Sequence, residues 1–134
     1  MGLKELQIPG LNVQEPWAQL IIDHKKTVET RTYPIPSKHL NKLIAIIETY
    51  PSNAKTARVV GIVKFSSCFQ YKNKAHFKRD EESHLVSESD IFAWSKDKKK
   101  WGWKISYTKR IPNVKLKANS RRGIDWCSYT SKYL

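Results

Sequence analysis

Cysteine is scarce in this chain of 134 residues, which has only Cys68 and Cys127. Two cysteines cannot build a disulfide scaffold, and without CxxC or Cys–His spacing they do not point to a zinc site. Both stand in strand-like runs, where a free cysteine behaves as a small apolar residue. The histidines, His24, His39, His76 and His84, are scattered and form no HExxH or similar ligand pattern. No metal or cofactor is therefore expected. Long apolar runs are missing too. The longest, Leu43 to Ile47, is far too short to span a bilayer. The opening residues Met1-Gly2-Leu3-Lys4-Glu5-Leu6 contain no apolar signal core, and Leu6 stands where an acylation signal needs Ser or Thr. A cytoplasmic protein with no membrane partner is the expectation. No internal repeat or low-complexity linker divides the chain, so a single domain over 1–134 is expected.

Acidic residues are also few. Twelve Asp and Glu face 25 Lys and Arg, for a formal net charge of +13. The imbalance sits almost wholly in one part. Residues 1–50 carry six cations and five anions, whereas residues 51–134 carry nineteen and seven. Self-repulsion on that scale opposes compactness, so a polyanionic partner is the natural inference. An anionic membrane competes for that role, but no basic amphipathic helix with an apolar aromatic face stands out.

Aromatic side chains, in contrast, are plentiful. Five Trp, six Tyr and four Phe in a chain 40% hydrophobic supply enough material for one core. Glu5 to Ile8 reads as a first strand ended by Pro9-Gly10. Pro16 suits the first position of a helix, and Trp17, Leu20, Ile21 and His24 follow at helical spacing. Thr27 to Tyr33 alternates as a strand does, and Pro34 and Pro36 end it. Ser37 to Asn41 reads as a connector of one helical turn. Leu43 to Ile47, followed by Thr49 and Tyr50, reads as a strand buried on both faces. Arg58 to Phe69 reads as another, with Gly61 marking a bulge or a close approach.

Residues 71–100 form a polar insertion with helical pieces. One of these is expected to be capped by Ser89 or Asp90 and to carry Ile91, Phe92 and Trp94. In Trp101 to Arg110 the alternation places Trp101, Trp103, Ile105 and Tyr107 on one face, with Lys104 and Arg110 on the other. Arg122 to Cys127 reads as a turn into a last strand. About six strands and two or three peripheral helices, with helices too few to separate every strand pair, predict an α+β, strand-dominated, small mixed β-barrel.

One segment carries chemistry. Pro16-Trp17 opens a helix, and Lys26, Glu29 and Arg31 follow at its junction with the next strand. Glu29 and Arg31 are two apart on a strand and so share a face. An Arg fork can grip a phosphate or a base edge, and Lys26 offers a point charge or, with a lowered pKa, a nucleophile. Glu29 can orient Arg31, accept from an exocyclic amine or act as a base. The plain alternative is an ion pair that pins the turn. Around this site Lys98, Lys99, Lys100, Lys104, Arg121 and Arg122 are candidates for phosphate contacts. Trp103 is a candidate for stacking a base, against the ordinary reading of a core aromatic.

The Pro-Trp helix followed by Lys26, Glu29 and Arg31 resembles the ASCH family signature, in which the helix leads into GxKxxExR. His24 stands where that signature has Gly. The strand Trp101-Gly102-Trp103-Lys104-Ile105, then Ile111-Pro112 and Gly123-Ile124-Asp125-Trp126, resembles the closing half of the family. The resemblance implies a PUA-like barrel and one of several activities: RNA binding, reading of modified bases, hydrolysis of N4-acetylcytidine-type amides, or ribonuclease action. Lys26 matches the lysine of the amidohydrolases. Glu29 stands in place of their Thr, and Glu81, Glu82 and Glu88 are available for their further Glu. The leading expectation is a nucleic-acid-binding module, with RNA favoured over DNA, holding a base or modified nucleotide beside Lys26, Glu29 and Arg31. The alternatives are a nucleoside hydrolase or ribonuclease in which Lys26 and Glu29 are catalytic, and a reader of a modified base flipped from duplex DNA.

Overall fold

A computed structural model describes residues 5–50, 53–116 and 124–130. Six strands form one mixed sheet: β1 (Glu5–Gln14), β2 (Val28–Arg31), β3 (Ile44–Tyr50), β4 (Asn53–Gln70), β5 (Trp101–Leu116) and β6 (Ile124–Thr130). Their order is β2-β5-β4-β3-β1-β6. Only β1 and β3 run parallel, and the other neighbours are antiparallel. The sheet curls into a half-barrel with β2 and β6 at its edges, so the expected mixed, strand-dominated architecture is present. Among the described residues three short helices accompany it: α1 (Trp17–Ile22), α2 (Lys74–Arg79) and α3 (Glu81–His84). A 3-10 turn covers Ser37–His39. Among the described residues no helix is long and apolar enough to cross a membrane.

β3 is the centre of the fold because it is apolar on both faces. Ile44 and Ile46 enter a core with Leu11, Val13, Ile21, Ile22, Phe65 and Trp103. Ala45 and Ile47, pointing the other way, join Val59, Ile62 and Ile111. Burying each such aliphatic side chain is worth about 1.5–3 kcal/mol, which is why this strand tolerates no polar alternation until Glu48. A third cluster of Tyr71, Phe77 and Val86 anchors the 71–100 insertion, with Trp17, Phe69, Phe92 and Trp94 packed against it.

Three expectations are corrected. Pro9-Gly10 does not end β1, which runs on to Gln14. Pairing with β3 begins only at Gly10, so the missing proline donor falls where β1 has a single partner strand, β6. Pro16 lies just before the helix, as its N-cap, joined to Glu15 by a cis peptide. The helix expected over Ile91, Phe92 and Trp94 is absent: Ile91 and Phe92 lie in a turn and Trp94 in irregular chain. Asp90 Oδ1 accepts from the Phe92 N–H at 2.9 Å, a local bond that competes with helix formation. The helical pieces of the insertion lie earlier, where Asn73 Oδ1 caps α2 by accepting from the His76 N–H at 2.8 Å.

Gly61 is both a bulge and a close approach. The β3–β4 and β4–β5 ladders shift register beside it. A Cβ there would stand 2.2 Å from Ile22 Cδ1 and 2.8 Å from the Lys109 carbonyl oxygen. Because the second obstacle is backbone, it cannot simply rotate away. Gly61→Ala is therefore expected to cost about 1–3 kcal/mol of stability in a urea titration, with α1 lifted off the sheet. An unchanged midpoint would mean that the helix-to-sheet distance is not limiting.

Candidate functional site

The junction between α1 and β2 is built by a helix stop. Asp23 caps α1, and His24 takes φ 62°. The His24 N–H bonds to the Ile21 carbonyl at 3.1 Å and the Lys25 N–H to the Leu20 carbonyl at 3.0 Å. This is the Schellman arrangement, which usually places Gly at the left-handed position. His24 adopts the same backbone at a steric cost of about 1–2 kcal/mol. The turn therefore keeps its shape without the glycine and delivers Lys26 inward.

Lys26, Glu29 and Arg31 do come together. Lys26 Nζ lies 3.7 Å from Glu29 Oε1. Arg31 donates to Glu29 Oε2 from Nε at 3.2 Å and from Nη2 at 2.9 Å. Arg31 Nη2 also donates to the Asn12 carbonyl at 2.7 Å, tying β2 to β1. Lys26 Nζ donates to the His84 carbonyl at the end of α3 and lies 5.0 Å over the Trp17 ring. Opposite charges about 4 Å apart attract by about 4 kcal/mol at an effective dielectric of 20. Desolvation of each ion costs several kcal/mol, so the carbonyls and the Trp17 face matter as much as the pairing.

The group is buried. Lys26 is 2% exposed and Glu29 5%. Burial holds the Lys26 pKa below its ordinary value, against the pull of Glu29. Arg31 is also penalised by burial, but Glu29 and Tyr33 outweigh that and raise its pKa. The cover is the 71–100 insertion. Besides the His84 carbonyl, the Ser83 carbonyl accepts from the Thr27 N–H at 2.9 Å. His84 itself is enclosed and stacked on Phe77 at 4.1 Å. Its Nδ1 accepts from the Val86 N–H at 2.9 Å, so Nε2 carries the proton given to the Phe77 carbonyl at 2.7 Å.

The open space lies beside this network. A cleft of about 260 Å3 is lined by His24, Lys26, Thr27, Ile105, Ser106, Tyr107 and Thr108. Lys26 forms part of its wall, while the Lys26 ammonium is taken up by Glu29 and the His84 carbonyl. Among the described residues no group of three or more His, Cys, Asp or Glu gathers as a metal site would.

The family model for the ASCH domain matches residues 11–117. The chain belongs to the ASCH domain family. No curated protein matches it. Three solved structures of ASCH from Zymomonas mobilis resemble this fold. The unsubstituted protein aligns with TM-score 0.67 at 20% identity, covering 89% of this chain and 86% of that one. A Tyr-to-Phe variant gives 0.68 at 23%, covering 89% and 88%. A Ser-to-Ala variant gives 0.66 at 20%, covering 89% and 87%. At these identities the likeness is one of fold.

Several expected contacts of this ASCH domain lie elsewhere. Trp103 is fully buried, its indole N–H donating to the Tyr33 carbonyl at 3.1 Å and its ring edge-on to Phe65. It has no face to offer a base, so the core reading replaces the stacking one. Lys100 is buried as well, with Nζ donating to the Phe92 carbonyl at 2.7 Å, and burial lowers its pKa. It pins the insertion and is not a free phosphate contact. Lys98, Lys99 and Lys104 are exposed, and Lys104 lies 5.8 Å over Phe69. Arg121 and Arg122 lie outside the described residues. Cys68 is half-buried, and burial raises its thiol pKa.

Sequence reasoning missed a second buried carboxylate, Glu48, which accepts from Gln19 Nε2 at 2.8 Å and from the Tyr50 hydroxyl. The signal was a charge at the end of an otherwise apolar strand. It also missed Thr27, Ser106, Tyr107 and Thr108 as cleft residues, for which no local pattern speaks.

Lys26 gives the site a pH signature. The unfolded lysine titrates near 10.5, above its lowered folded value. Between the two, the unfolded chain binds more protons, so stability rises with pH across that window. Compared with Lys26→Met, the wild type should gain unfolding free energy as pH climbs toward 10.5. Urea titrations at stepped pH check this, and a pH-independent difference would contradict a lowered Lys26 pKa.

Proposed function

We propose that this ASCH domain is a nucleic-acid-binding module for single-stranded RNA, with an unpaired or modified base entering the cleft beside the Lys26 turn. The observation that carries this reading is the juxtaposition of an open cleft, free of carboxylates in its lining, with a strongly cationic chain. The buried Lys26–Glu29–Arg31 network fixes Lys26 in the wall of that cleft, held in register by the Asn12 and His84 carbonyls. Lys98, Lys99 and Lys104 supply phosphate attraction, which dominates affinity for such polymers. A cleft of about 260 Å3 has room for one splayed base, which favours an unpaired strand over duplex DNA.

A second reading is favoured by one specific observation. Lys26 is a buried lysine with a lowered pKa, the state in which an amine serves as nucleophile or base. That supports hydrolysis of an acylated cytidine or ribonuclease action, with Glu29 moving the proton. In that case the α3 cover must withdraw, because the Lys26 ammonium is otherwise occupied by the His84 carbonyl.

Fluorescence anisotropy separates the two. A short single-stranded RNA should bind with a log–log salt slope of about −0.7 per phosphate neutralised, and more tightly than matched duplex DNA. Absence of binding to either polymer, together with turnover of N4-acetylcytidine that disappears in Lys26→Met, would replace the binding reading with the hydrolase.

A further inference from the structure

The β5 strand departs from its own sequence pattern at one point. Strict alternation puts Tyr107 on the core face with Trp103 and Ile105. In the β4–β5 ladder, however, Lys64 pairs with Tyr107 and Phe65 with Ile105, leaving Ser106 as an extra residue. A second shift follows between Phe65 and Ser67. One inserted residue reverses the parity of everything after it, so the bulge turns Tyr107 out of the core. The Tyr107 side of the strand is 42% exposed at that residue, whereas Trp103 is fully buried. Bulges that re-aim a side chain concentrate beside binding sites.

What Tyr107 meets is specific. It lines the cleft together with His24, Thr27, Ser106 and Thr108, and the Ser106 hydroxyl donates to the Lys64 carbonyl at 3.4 Å. Lys64 Nζ lies 5.6 Å from the Tyr107 ring centroid. Lys104 is exposed three residues back on β5, roughly 10 Å along the strand. At about 260 Å3 the cleft is smaller than the roughly 300–1,000 Å3 of pockets that enclose a drug-sized ligand. It suits one planar ring with hydrogen-bonding edges. An aromatic face flanked by cations and hydroxyls matches the chemistry of a nucleobase on a phosphate backbone.

We propose that Tyr107 is the stacking platform for one unpaired base of single-stranded RNA, with the Lys64 and Lys104 ammonium groups taking the adjacent phosphates. This rests on the single-strand reading above and assigns it a residue. The base lies against the outward ring, and its edge turns toward Thr27. Lys64 leaves the ring to meet phosphate as the base arrives. The bulge at Ser106 is then a binding feature.

The test uses a short RNA carrying 2-aminopurine, whose fluorescence is quenched on stacking, with anisotropy measured in parallel. Wild type should bind and quench. Tyr107→Leu keeps the apolar bulk but no aromatic face, and should bind about ten-fold more weakly without quenching, at an unchanged salt slope. Tyr107→Phe should stay within about two-fold of wild type, because the ring is retained. Lys64→Ala should flatten the salt slope by about 0.7. If wild type binds and Tyr107→Leu binds and quenches equally, the platform lies elsewhere and this inference alone fails. If wild type binds no RNA, the nucleic-acid reading fails and takes this inference with it.

Discussion

The Glu29 carboxylate is the constraint on which the site depends. It is buried between two cations, and each cation is also held by a backbone carbonyl from another part of the chain. Through Arg31 it joins β2 to β1, and through Lys26 it joins the α1–β2 turn to α3. An ionised group in that setting has no cheap alternative geometry, since a misplaced partner leaves a charge without water or counter-charge. The turn, the insertion and the sheet edge are therefore fixed relative to one another by a few bonds. The same network explains why His24 can hold a left-handed backbone: the enclosing contacts determine where Lys26 must go.

That arrangement separates two roles which the sequence places in one motif. Lys26, Glu29 and Arg31 are consumed in holding the architecture, and the open surface lies next to them on β5. The ASCH domain thus sets Lys26 of its family motif in the wall of a cleft whose other side carries the β5 bulge. The insertion that seals the motif is anchored by its own small core of Tyr71, Phe77 and Val86, and Lys100 pins it further through the Phe92 carbonyl. Any chemistry at the Lys26 amine would have to open that cover first.

Much of this was legible beforehand. Leu43 to Ile47 announced a two-sided buried strand because nothing polar interrupts it, and Gly61 marked the bulge that lets α1 approach. The grouping of Lys26, Glu29 and Arg31 followed from strand period and family resemblance. Burial of the group did not, because the α3 cover comes from a polar stretch with no periodic signal. Trp103 could be placed in the core on size alone. Tyr107 could not be placed outside it, since the extra residue at Ser106 is a property of the ladder with β4 and leaves no mark in β5 itself. The missing helix near Asp90 has a local cause, the side chain taking the backbone donor a helix would need.

The most direct test of the account is to map where RNA touches the folded protein, by following backbone amide NMR shifts during titration with a short single strand. The account predicts perturbations at His24, Thr27, Ser106, Tyr107 and Thr108, with Phe77 and Val86 beneath the insertion unmoved. Shifts concentrated at Phe77, Val86 and the α2–α3 segment, with the β5 residues unmoved, would contradict it and place the ligand under the cover.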